Sequence, residues 1–206
     1  MLTVPYASRL AAGRSIHLQR CPIAPIDTHG RLLRYAHKSF RECSAHASCL
    51  GDVVPNFDIT QHYETGDKQD LLIRSQRLGA ALAAEFSSNH TLPNATQTEA
   101  DYAVVLMQNH GFTTVASSIK LAVMQAMYTQ TNAGIQTTAL TIQNAYPNNN
   151  QQELSFLTTQ QTVDSWTTMA GTADRPWGLW SHQVRSSNLY QNLLDPNQTQ
   201  PASPLL

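Results

Sequence analysis

Tyr102-Ala103-Val104-Val105-Leu106-Met107 is an uninterrupted run of aromatic and aliphatic residues that breaks at Gln108-Asn109-His110-Gly111 and resumes as Phe112-Thr113-Thr114-Val115. A run apolar on both faces suits a strand covered from both sides, which is what alternating strands and helices produce. A polar pair followed by Gly ends such a strand sharply and can aim one side chain, here the His110 imidazole, into a cleft. Beyond the second short strand, Ser117 offers an N-cap to a long helix through about residue 142. Ile119, Val123, Ala126, Met127, Gln130 and Gly134 recur along it at three or four residues, the period of a buried helical stripe.

The flanking segments extend this pattern. Val53 to Ile59 is a strand candidate in which Pro55 favours an edge or strand-start position. Asp67 is a candidate N-cap for a helix over 67–86, with Leu71, Leu78 and Leu82 on one stripe. Residues 87–101 read as a loop and 148–152 as a linker. A second helix near 158–170 then leads into an extended tail. Residues 1–45, with Pro5, Pro22 and Pro25 and no sustained period, read as irregular. The expected organisation is an irregular N-terminal segment over 1–45, a domain over 46–145, and a linker, helix and tail over 146–206.

Composition removes several function classes. The chain has 206 residues, 41% of them hydrophobic, enough for one core. Thirteen basic against fourteen acidic residues give a net charge of -1, so nucleic acid and membrane surfaces are not expected partners. Cys21, Cys43 and Cys49 lack the spacing of a zinc site or a disulfide framework and are expected as reduced thiols. The start has no continuous apolar core of a signal peptide, and no stretch is long enough to span a bilayer, so a cytoplasmic location is expected.

Val105 to Val115, followed by Ala126-Met127-Tyr128-Thr129-Gln130 and Gln136-Thr137-Thr138-Ala139-Leu140, resembles the class II aldolase and adducin head-domain family. Val53–Ile59, Gly66–Arg74, Arg77–Phe86, Arg175–Trp180 and Leu189-Tyr190 are similar to a fungal-like branch of it, so the resemblance covers roughly residues 46 to 192. It implies a three-layer α/β/α class II aldolase-like sheet with flanking helices, the N-terminal strands being truncated or divergent and therefore incomplete. It also implies that His110, set between Asn109 and Gly111, is a ligand of a catalytic divalent metal, zinc being the expected ion.

Two further ligands come, in that family, from a His-x-His pair, and no such pair occurs in this chain. One alignment places Leu18 and Arg20 on the two positions; sliding by one residue places His17 and Gln19 there. Arg is no cation ligand, so His17 is the second candidate ligand and the expected site is a degenerate one. A catalytic zinc needs about three protein ligands and an open position. His46 is expected to line the pocket, and Tyr63 and Tyr128 are candidate proton donors.

The resemblance leaves two functions open. One is a metal-dependent lyase or epimerase acting on a small hydroxycarbonyl compound, where Lewis acidity stabilises an enediolate. The other is a non-catalytic assembly or binding module comparable to the adducin head. Missing strands would leave sheet edges unpaired, so a homo-oligomer is expected.

Overall fold

The computed structural model describes residues 40–90, 100–145 and 154–187, Leu189, and the backbone of residues 14–17. Four strands form one sheet: β1 (Arg14–His17), β2 (Asn56–Phe57), β3 (Val104–Met107) and β4 (Gly111–Ala116), in the order β1-β4-β3-β2. β1 and β3 are each antiparallel to β4, whereas β2 and β3 are parallel. A parallel pair requires a crossover, and α1 (Gln76–Ala84) lies between the two strands in the chain.

Side chains alternate across the sheet and build two cores. Val105, Met107 and Val115 join Phe57, Ile59, Leu78, Leu82 and Phe86 on the α1 side. Val104 and Phe112 join Phe40, Ala47, Leu50 and Ala126 on the other, beneath the 3-10 helix η1 (Ala45–Leu50) and the long helix α2 (Ile119–Ala145). The sheet is thus covered on both faces in a helix–sheet–helix arrangement, the α/β class that the double-sided apolar strand implies. Among the described residues, no helix is long and apolar enough to cross a membrane.

Several local expectations change. The helix expected over 67–86 begins only at Gln76, capped by Ser75, whose hydroxyl accepts from Leu78 N–H at 3.2 Å. Asp67 instead accepts from Glu64 N–H at 2.8 Å and pairs with Arg77. The intervening Leu71 adopts φ 62°, which no helix permits. Ser118 rather than Ser117 caps α2, accepting from Leu121 N–H at 3.2 Å. Residues 1–45 are not wholly irregular, because β1 pairs Ser15 with Val115 and occupies the outer edge of β4.

The expected tail also contains a helix. α3 (Thr159–Gly171) opens with a capping box between Thr158 and Gln161, and α4 (Asp174–Ser186) follows at once. Pro176 reads as a breaker in the sequence, yet it sits in the first turn of α4, where its missing N–H has no helical partner to lose. α3 and α4 contain no fully buried residue; the buried Ala173 lies at their junction.

The buried stripe of α2 is not the expected one. Ala122, Gln125, Ala126, Thr129, Asn132 and Gln136 face inward, while Ile119 and Met127 are exposed. The polar members grip the strand-like segment 40–43. Asn132 accepts from Cys43 N–H at 2.8 Å and donates to the Arg41 carbonyl at 2.7 Å, and Gln136 accepts from Arg41 N–H at 3.2 Å. Asn132→Ala strands two of these groups beneath a helix and is expected to cost about 2–3 kcal/mol. A urea midpoint unchanged from the wild type would refute that role.

Candidate active site

The carboxyl ends of parallel strands are where open α/β sheets bind ligands, because the chain leaves the sheet there and opens a crevice. In this chain that edge is the end of β2 and β3. Gln108 N–H donates to the Phe57 carbonyl at 2.9 Å, and the Asn56 side chain donates to that of Gln108 at 3.4 Å. β2 then turns into the 3-10 helix η2 (Ile59–His62), capped by Asp58, which accepts from Thr60 N–H at 3.1 Å. His62 is half-buried and stacks on Phe57 with ring centroids 5.1 Å apart.

His110 closes the turn at this same edge. Its N–H donates to the Met107 carbonyl at 3.0 Å across Gln108-Asn109, and Asn109 has φ 60°. A positive φ at the third residue of a β-turn is the type II requirement, and Asn tolerates it better than other side-chain-bearing residues. Gly111, at φ 152°, then restarts the ladder opposite Met107. Asn109 and Gly111 thus hold the backbone at the site edge, and the half-buried His110 stands between them.

His17 approaches the same edge through its backbone. β1 runs parallel to β3 because both are antiparallel to β4, and His17 pairs with Thr113, three residues past His110. The side chain of His17 lies outside the described residues. Among the described residues no group of three His, Cys, Asp or Glu side chains converges. The described donors therefore do not by themselves complete a zinc site around His110.

A second cluster lies on the α2 side. The rings of His46, on η1, and Tyr128, on α2, are 5.0 Å apart and tilted at 48°. Trp180 of α4 meets Tyr128 edge-on at 6.1 Å. His46 is exposed, and Tyr128 and Trp180 are half-buried. The cluster belongs to the His110 end of the sheet, as β4 and α2 run in opposite directions. Thr114 Oγ1 donates to the Ala122 carbonyl at 3.3 Å, and Phe112 shares a core with Ala126. Back from Thr114 to His110 is about 13 Å of strand. Forward from Ala122 to Tyr128 is about 9 Å of helix, so the two residues lie at similar levels.

The other candidates separate from this group. The Tyr63 hydroxyl accepts from Leu71 N–H at 2.9 Å and its ring packs on the α1-side core, so it supports the strained Leu71 backbone. Burial pushes the Cys43 thiol up to about 11, with the Glu42 carboxylate adding to it, and pushes Cys49 up to about 12. Both therefore stay protonated and are poor nucleophiles at neutral pH. His90 and His182 are exposed.

Sequence reading overlooked Glu42 and Trp180. Glu42 is fully buried, its Oε1 accepts from the Thr162 hydroxyl at 3.0 Å, and its Oε2 has no hydrogen-bond partner. Nothing in the pattern around Glu42 marks it as buried. Trp180 falls inside Arg175–Trp180, a family-like segment, which was the available signal.

Fold and site together define a layered α/β domain whose His110 turn lies at the carboxyl edge of a parallel strand pair. No family model matches the chain. Decarboxylase tropJ of Talaromyces stipitatus is 37% identical to it over 157 residues, and the chain is a homologue of that protein. The match takes in 75% of this chain and 57% of tropJ, so the chain spans little more than half the length of its relative.

Proposed function

We propose that the chain is a carbon–carbon lyase of the class II aldolase kind, acting on a small hydroxycarbonyl compound. Two features support this reading: the His46–Tyr128 ring contact at 5.0 Å and the His110 turn at the carboxyl end of β3, which the course of β4 and α2 brings towards the same end of the sheet. The name of its relative favours decarboxylation as the form of cleavage. Aldol cleavage and decarboxylation share one demand: the electron pair of the broken bond moves towards a carbonyl oxygen as an enolate, and the carbon then takes a proton.

Three side chains meet that demand in the proposal. His110, at the edge of the sheet, donates a hydrogen bond to the carbonyl oxygen as charge builds on it. Tyr128 delivers the proton to the carbon, and the exposed His46 returns one from solvent to Tyr128. The resemblance assigns zinc to His110 and His17, and the described donors do not by themselves complete that site.

Release of carbon dioxide from a panel of small β-keto and hydroxy-keto acids tests the reading. Tyr128→Phe keeps the ring contacts with His46 and Trp180 while removing the proton, and is expected to lower turnover by about 100-fold. Unchanged turnover in this variant would remove Tyr128 from the chemistry.

One feature favours the second reading, an assembly module that pairs with another copy of itself. Met127, Ile135 and Ile142 are 39%, 39% and 55% exposed along α2, whose one charged residue is Lys120. A chain that self-associates in sedimentation and cleaves none of the panel would fit this module instead.

A further inference from the structure

The arm formed by α3 and α4 packs along η1 and meets α2, and few polar groups link it to the rest of the chain. Thr162 donates to Glu42, Thr159 Oγ1 donates to Asp52 at 3.3 Å, and Leu157 N–H donates to the Glu42 carbonyl at 3.5 Å. The Arg41 guanidinium lies 4.7 Å from the centre of the Phe156 ring just before the arm. Lys120 pairs with Asp174, and Trp180 reaches Tyr128. Thr159, Asp52 and Asp174 are exposed and the others half-buried, and Glu42 is the one fully buried side chain among them.

We propose that the α3–α4 arm, which borders the His46–Tyr128 pair through Trp180, is latched where Thr162 meets the Glu42 carboxyl and loosens when that carboxyl loses its proton. The functional meaning of the release rests on reading His46 and Tyr128 as the site; the latch itself does not.

The geometry supplies the reason. A neutral carboxyl fits a buried position with one hydrogen bond, whereas a carboxylate there keeps an oxygen, Oε2, that no donor reaches. With the arm lifted, that oxygen meets water. Burial holds the Glu42 pKa above its ordinary value of 4.5, an effect that its own backbone N–H, the Thr162 hydrogen bond and the neighbouring Arg41 oppose, in that order, and Asp52 reinforces. Docking is therefore strongest below the ordinary value and weakens as pH rises through the raised one. Each unit of difference between docked and released states changes their ratio by up to about tenfold.

Other titratable or charged groups lie on the elements that meet here. Arg41 and Cys43 flank Glu42, Asp52 pairs with Arg41, and His46 lies on η1, Tyr128 on α2, Asp164 on α3 and His182 on α4. Cys43, with its thiol at about 11, keeps its proton throughout. His46 and His182 are ionisable as well, so the Glu42→Gln variant is needed to isolate the Glu42 contribution.

The chain supplies its own reporter, since its three tryptophans, Trp166, Trp177 and Trp180, all lie on the arm and are half-buried. Acrylamide quenching of the full chain between about pH 5 and about pH 8 should increase with pH in the wild type and stay level in Glu42→Gln. A flat wild-type profile, or an equal rise in Glu42→Gln, overturns the latch. Should circular dichroism show Glu42→Gln unfolded, Thr162→Val decides. That change, at a half-buried position, removes the hydroxyl donor and should raise quenching at the acid end, and quenching equal to the wild type there counts against the proposal. No catalysis is read, so pH-linked quenching without carbon dioxide release keeps the latch and removes the lyase, and the reverse result does the opposite.

Discussion

His110→Ala is expected to reduce carbon dioxide release by at least about 100-fold, because a donor aimed at a developing oxyanion contributes most in the transition state. The loss should fall on kcat rather than KM, since the imidazole meets the oxygen as charge develops. Folding should change little: His110 is half-buried, and its N–H bond to the Met107 carbonyl belongs to the backbone and survives the substitution. The variant also tests the proposed metal role. Zinc content by elemental analysis is expected to be lower in His110→Ala than in the wild type, and equal contents would remove His110 from the donor set.

Phe57→Ala is the change expected to cost most stability, about 3–5 kcal/mol. Phe57 is 1% exposed, lies in a strand of two residues and packs among Ile59, Leu78, Leu82 and Met107. Domains of this size are stable by only about 5–15 kcal/mol, so the loss is a large share of the whole. It reaches the site too, because the Phe57 carbonyl receives Gln108 N–H beside the His110 turn, and the ring supports His62. Phe57→Leu, which keeps most of the volume, should cost about 1 kcal/mol. Equal urea midpoints for the two variants would show that the ring's volume is not what matters.

The legible and illegible parts of the candidate site differ for a physical reason. His110 stood out because a strand, a polar turn and Gly are neighbours in sequence, and the turn depends on the backbone preferences of those few residues. His46 and Tyr128 were each marked through the family resemblance. Their meeting at 5.0 Å depends on η1 packing against α2, a contact between residues more than eighty positions apart. Trp180 joins them only because α4 folds back on α2, and the Pro176-Trp177-Gly178 run disguised that helix.

The α2 stripe shows the same limit within one helix. Apolar periodicity pointed to Ile119 and Met127, yet the buried face carries Gln125, Thr129, Asn132 and Gln136. Periodicity identifies the face that water rejects, but here two of the inward side chains are bound by peptide groups of residues 41–43, and those partners exist only after folding.

The order of residues alone determined the β3–turn–β4 unit, the long helix after it and the α/β class, since each follows from short-range periodicity, caps and backbone preference. Tertiary structure alone decided which face of α2 is buried, that β1 takes the edge of β4, that Glu42 is sealed beneath α3, and that His46, Tyr128 and Trp180 adjoin. Those outcomes turn on contacts between distant segments, whose gain in burial and hydrogen bonding exists only when both partners are in place.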